Sequence, residues 1–277
     1  MSRRRLGRIV SYVVLVLIGL AGIAPFLYLL LLSFKGPLDI LEVPPSLHFH
    51  WSQITSNYGK VIHEQSYLTF VKNSVLVTGA STLIALGLGV PAAYAFSRLR
   101  FRAKDHWAST ILSFRFMPPI AVAIPIYLMI RNLGLVDSYL GLILPYVAFS
   151  LPLVVWIMIG FFDEIPAEID DAALVDGCSR AAVLWRVLLP LARPGMLVAA
   201  TFGVIFIWNE FLVGLFIINS TGHETIPIAA SALLTVESPI DWNNAAAVGV
   251  LTVLPVLLFS LFVQRYIVRG ITAGAVK

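Results

Sequence analysis

The sequence predicts an all-α integral membrane protein with six transmembrane helices. Three observations predict it: too little charge to coat a soluble domain, six apolar runs of membrane-spanning length, and basic residues segregated between those runs. Of 277 residues, 59% are apolar and 12% are charged, with a mean hydropathy of +0.90. Soluble chains average about 45–50% apolar and about 25% charged residues. That difference excludes most soluble enzymes, nucleic-acid binders and disordered chains. The net charge of +4 is no sign of nucleic acid, because the charges sit between the apolar runs. A β-barrel needs short alternating segments, and these runs are continuous.

A helix needs about 20 apolar residues to cross the hydrocarbon core. The first run, 9–34, carries no charge. It is too long for a signal-peptide core and no clear small-residue cleavage site follows, so it reads as a retained helix. Runs 73–97, 138–162 and 242–264 are also uncharged, whereas 107–130 holds Arg115 and 194–219 holds Glu210. One side of these six runs collects Arg3, Arg4, Arg5, Arg8, Arg98, Arg100, Arg102, Lys104, Arg180, Arg186, Arg193, Arg265, Arg269 and Lys277. The other side collects Lys35, Lys60, Lys72 and Arg131. Basic residues accumulate in the cytoplasm, so both termini are expected there, in agreement with an even helix count. Residues 1–277 are expected to form one domain, with 35–72 and 220–241 outside and 163–193 inside.

The lone cysteine, Cys178, excludes a disulfide framework within the chain. His48 and His50 are close in sequence but lack further ligands at metal spacing, and read as interfacial or solvated. Pro118, Pro119 and Pro125 in the third span, and Pro145 and Pro152 in the fourth, remove backbone hydrogen bonds and favour kinks. Such kinks serve packing or line a pathway. Ala85, Gly89 and Ala93 form a small stripe that suits close helix packing.

The inner segment 163–193 is too long for a turn. Pro166 suits the first turn of a helix, and Glu168, Asp170 and Asp171 follow where a helix N-terminus favours negative charge. Gly177 is a stop, Ser179 caps a second helix, and that helix is expected to end at Pro190. Exposed Ala172 and Ala173 would let the first helix enter a cleft on a partner. Six acidic residues (Asp163, Glu164, Glu168, Asp170, Asp171, Asp176) against three arginines disfavour an anionic membrane surface as that partner.

The stretch Asp171-Ala172-Ala173 through Gly177, followed by Val187-Leu188-Leu189-Pro190, resembles the EAA loop of ABC importer permeases. Both spacings of that pattern are met; Asp171 stands where Glu is usual and Val187 where Ile is usual. Residues 92–101, 141–146, 208–212 and 270–277 are similar to the maltose-type, carbohydrate-uptake branch, so the resemblance covers nearly the whole chain. It implies the shorter, six-helix permease of a heteromeric sugar importer, with a type I ABC importer fold in a bacterial plasma membrane. Implied partners are a second permease, two ATPase subunits that bind ATP and Mg, and an extracytoplasmic binding protein. The loop residues Glu168, Asp171, Ala172, Ala173, Asp176, Gly177 and Pro190 would couple to an ATPase.

The residues themselves support that division of labour. A P-loop needs Gly-Lys followed by Ser or Thr, and no lysine here is followed by either. An ion-coupled transporter or channel would use intramembrane carboxylates, and Glu210 alone qualifies. Counted along straight helices, Arg115 and Glu210 lie at different depths, which disfavours a direct pair. A membrane enzyme would need a nucleophile–base pair or metal set that is not apparent. A sugar cargo suits amides and aromatic rings, which makes Tyr127, Tyr146, Trp156, Trp208 and Asn209 pathway candidates. Glu210 is a pathway candidate as well, expected to pin helix ends or a gate. Glycerol-phosphate and polyols are alternative cargoes in the same branch.

Overall fold

The computed structural model describes residues 3–37, 39, 49–64, 66–232 and 242–274, and every regular element among them is helical. In order these are α1 (Arg3–Ser33), α2 (Trp51–Gly59), α3 (Tyr67–Arg98), α4 (Lys104–Ser113), α5 (Pro119–Asn132) and α6 (Tyr139–Asp163). Then follow α7 (Ala167–Val175), α8 (Arg180–Leu191), α9 (Arg193–Trp208), α10 (Leu212–Ile217), α11 (Ile226–Ala232) and α12 (Trp242–Gly274). Four helices are long and apolar enough to cross a membrane, and the count reaches six if each sharply bent helix pair is one span. The protein is a multi-pass membrane protein. His48 and the rest of 40–48 in the expected outer segment 35–72, and residues 233–241 of the expected outer segment 220–241, lie outside the described residues.

The chain divides into two compact units. The first comprises Met1–Leu68 and Ala230–Pro255. In it the end of α1 is held by α2. The Asn57 amide donates to the carbonyls of Ser33 and Lys35, each at 2.9 Å, and Ser33 Oγ shares a 2.8 Å hydrogen bond with the Tyr58 hydroxyl. The last carbonyls of a helix have no partner of their own, so these bonds fix where α1 stops. The Tyr67 hydroxyl donates to Leu251 O at 2.7 Å and anchors α12.

The second unit comprises Thr69–Ala229 and Val256–Lys277. Its centre is α6, where Leu142, Tyr146, Val154, Met158 and Phe162 are almost fully buried. The small stripe of α3 packs on it: Ala85, Gly89 and Ala93 are buried, and a Cβ on Gly89 would sit 2.6 Å from Val154 Cγ1. Only glycine permits that approach. Helix α9 runs against α6, and α10 against α5 and α6.

Several expected boundaries are corrected. The third span, expected over 107–130, is broken: α4 runs into a tight turn at Phe114–Phe116, and the pair bends by 97° before α5. Pro119 forces the residue before it out of the helical region, and Pro118 is extended at φ −60°, ψ 125°. Pro125, Pro145 and Pro152 stay inside continuous helices. The fifth span, expected over 194–219, is also broken: α9 stops at Trp208 and α10 restarts at Leu212. The second span starts earlier than 73, at Tyr67, and the last continues beyond 264 to Gly274. Helix α8 does not end at Pro190. It opens into a π-helical turn over Val183–Leu188 and carries on to Leu191.

A polar clasp joins the ends of the second unit's helices opposite α7. Asn73 donates to the carbonyls of Gly222 and Glu224 and accepts from the Tyr139 hydroxyl. Asp137 accepts from the amides of Asn219 and Ser220 and from the Ser220 hydroxyl. Desolvation pushes the Asp137 carboxyl up, but these bonds and nearby His223 outweigh it, leaving the carboxyl below its ordinary range. Glu224 is pushed up, first by burial and then by the charge of Asp137.

Candidate functional site: an inner elbow and a membrane cleft

The inner loop is built from local caps. Helix α7 ends in a motif that places Gly177 at φ +85°. The Gly177 amide donates to Leu174 O and the Cys178 amide to Ala173 O, both at 3.0 Å. This pair of bonds satisfies the terminal carbonyls and needs a left-handed residue at the turn. Ser179 Oγ then accepts from the Ala182 amide and starts α8. The result is a helix–elbow–helix.

The elbow presents one charged face. Glu168, Asp171, Ala172, Asp176, Gly177 and Pro190 are exposed. Ala173 is not: it is 9% exposed and belongs to the core cluster with Val183, Leu184 and Leu188. The expectation of an exposed Ala172–Ala173 face is therefore corrected, because α7 needs an inner face to pack on α8.

Asp170 also points inward. Its Oδ2 lies 2.7 Å from Arg98 Nε at the end of α3, with both side chains 11% exposed. Arg98 Nη2 donates to Ile165 O at 2.6 Å, and the Ser97 hydroxyl donates to Asp163. Lys104 Nζ reaches back to Ser97 O at 3.1 Å. The elbow is thus tied by charge to a membrane helix remote in sequence. Sequence reasoning placed Arg98 only in the basic inner flank; an acidic residue at an inward position of a short helix was the available signal.

The second feature is an apolar cleft of about 1000 Å³ between α4, α5, α6 and α9. Ile111, Met117, Ile120, Phe149, Phe206 and Phe211 form part of its wall, and Arg115, Asn209 and Glu210 supply polar groups. Both helix breaks open onto it. At the second, the Asn209 amide nitrogen Nδ2 donates to Ile205 O at 2.7 Å and closes the end of α9. Glu210 accepts from the amides of Val213 and Gly214 at 2.9 and 3.3 Å and closes the start of α10. Backbone groups freed inside a membrane must be satisfied this way.

The cleft gathers only some of the expected pathway residues. Asn209 and Glu210 line it. Tyr127 is half-buried outside its wall, Tyr146 and Trp208 are buried in packing, and Trp156 is 58% exposed. Arg115 and Glu210 share the cleft although straight-helix counting separated them in depth, because both spans break. Among the described residues, no ion pair joins the two.

The family described as the inner membrane component of binding-protein-dependent transport systems matches residues 85–273. That range holds the elbow and every cleft residue. The chain belongs to this family.

The permease is 30% identical to the trehalose/maltose transport system permease protein MalG of Thermococcus litoralis, over all of this chain and 99% of that one. It is 33% identical to the trehalose transport system permease protein SugB of Mycobacterium tuberculosis, over 92% of this chain and 93% of that one. Its fold matches a chain of a bacterial ABC transporter involved in import of the acidic polysaccharide alginate. The TM-score is 0.80 at 23% identity, covering 96% of this chain and 98% of that one. The expected ABC importer permease fold is therefore the fold found.

Proposed function

We propose that this permease translocates a saccharide into the cytoplasm by alternating access, driven by ATPase subunits that dock on the inner elbow. The sugar-transport relatives support the saccharide, and the acidic, exposed face of α7 ending at Gly177 carries the docking. The chain is a transport component; ATP and Mg belong to the ATPase subunits in this reading. A second permease completes the pathway, and an extracytoplasmic binding protein delivers cargo to the outer face. Segment 35–72 faces that protein, with Trp51 of α2 77% exposed. Both termini lie in the cytoplasm of a bacterial cell, on the strength of the basic flanks.

The elbow residues would work as a lever. Glu168, Asp171 and Asp176 offer charge to the ATPase surface, while Ala172 keeps the approach close. Movement of α7 then reaches α8 through Gly177 and α3 through Arg98. The testing experiment is uptake by the assembled complex against a panel of saccharides and polyols, with ATP hydrolysis measured alongside. ATP-driven uptake of no saccharide would end the reading.

Gly177→Val tests the lever itself. A β-branched residue in the left-handed region costs on the order of 1–2 kcal/mol, so the elbow is expected to deform. Uptake should fall by about five- to thirtyfold, the factors that about 1–2 kcal/mol represent, with hydrolysis uncoupled or the complex unassembled. Gly177→Asn, which tolerates that conformation, should retain most uptake. Full uptake in the valine variant would remove the elbow from the mechanism.

The cleft would form part of the pathway wall, and Asn209 reports on it. With Cys178→Ser as background, Asn209→Cys should react with a small polar thiol reagent faster in one nucleotide state than in the other. Equal rates in both states of an active complex would place Asn209 away from a gated route.

A further inference from the structure

Among the described residues, the cleft holds a cation that no acidic group answers. Arg115 sits in the turn Phe114–Phe116, and its guanidinium carbon lies 4.1 Å from the centroid of the Phe206 ring. The described ion pairs are Arg98–Asp170 and Asp137–His223, so no described carboxylate pairs with Arg115. The other charged residue of the wall, Glu210, is engaged by the Val213 and Gly214 amides as the cap of α10. Charged side chains in membrane spans are costly, and those that occur face a cavity or a partner.

The geometry suits an anion. The contact with Phe206 is a cation–π contact made at the guanidinium carbon. It leaves the N–H edge, the fork that binds carboxylate or phosphate oxygens in pairs. Beside it, Asn209 spends its Nδ2 on Ile205 O, which leaves Oδ1 as an acceptor for a hydroxyl. Phe206 and Phe211 supply apolar surface of the kind that covers a sugar face. The volume, about 1000 Å³, lies at the upper end of ligand pockets, about 300–1,000 Å³.

We infer that Arg115 is an anion-recognition site of the translocation cleft, and that the saccharide carried bears an acidic group (carboxylate, sulfonate or phosphate). This rests on the saccharide reading above and narrows it. A lipid phosphate could supply the same chemistry, and the experiment separates the two sources.

The test uses the full complex with its binding protein in proteoliposomes. The probes are maltose, trehalose and cellobiose, each paired with forms carrying a C6 carboxylate, sulfonate or phosphate. At least one acidic form should be imported with a kcat/KM at least tenfold above its neutral parent. Arg115→Gln should bring that ratio close to one, chiefly through KM, and Arg115→Lys should keep an intermediate ratio. If the glutamine variant does not assemble, the lysine variant carries the test, since it keeps charge but loses the fork. Preference for neutral parents, or a ratio indifferent to both substitutions, overturns the inference and leaves saccharide transport standing. A ratio that follows the phosphatidylglycerol content of the vesicles instead assigns the site to lipid and also overturns it. Import of a non-saccharide solute alone would take down the saccharide reading and this inference together.

Discussion

Neutralising either member of the Arg98–Asp170 pair is expected to cost the permease most of its coupled transport. The charges are 2.7 Å apart and nearly buried. Removing one partner of such a pair leaves the other desolvated and unanswered, at a cost of about 3–5 kcal/mol. The pair also has a mechanical position. Asp170 lies in the first turn of α7, and Arg98 is the last residue of α3. If ATPase closure moves α7, this tie carries the motion to α3 without passing through the elbow. Arg98→Gln and Asp170→Asn should each lower saccharide moved per ATP hydrolysed. The double variant should be no worse than the poorer single one, because each single change already breaks the same interaction. Strictly additive losses in that cycle would show the two residues act separately.

What was legible in the sequence follows from the range of the forces involved. Membrane thickness acts on every span alike, so apolar run length located the four continuous long helices and the two bent helix pairs. Caps are equally local, which is why Gly177 and Ser179 could be read as the elbow. The breaks were harder. Five prolines looked alike in sequence, yet only the Pro118–Pro119 pair broke a helix. A lone proline mainly loses one hydrogen bond and its helix continues, as at Pro145 and Pro152. A second proline pushes the first out of the helical region. The break after Trp208 contains neither glycine nor proline. Its signal was chemical: an amide and a carboxylate side by side in an apolar run, able to close one helix and open the next.

The inner face of the elbow was illegible for a different reason. Whether Asp170 or Asp171 points outward depends on which one meets Arg98, a contact between distant parts of the chain. The same applies to Ala173, whose burial against α8 no local pattern specifies. Pathway residues suffered most. Aromatic rings serve packing and cargo equally well, and Tyr146 and Trp208 went to packing. Arg115 was visible as a lone base in an apolar run, but its cleft exists only because two spans break.

Removing the carboxylate of Glu210 is expected to destabilise the permease more than any other single change in the cleft. Helix α10 is only six residues long. Its first amides therefore make up a large share of its backbone donors, and Glu210 accepts two of them. Each buried donor left without an acceptor costs about 1–3 kcal/mol, and a membrane interior offers little water to replace the bond. Glu210→Leu should lose both bonds and lower the thermal midpoint of the detergent-solubilised complex, with α10 no longer held against α5. Glu210→Gln keeps an acceptor oxygen for one of the two amides, so its loss of stability should be clearly smaller than that of the leucine variant. That contrast separates capping from charge: an importer that coupled transport to protonation of Glu210 would lose uptake in the glutamine variant while remaining folded. A leucine variant that melts with the wild type would show that another group caps α10. A glutamine variant that folds and still transports would fix Glu210 as the brace holding the broken span open.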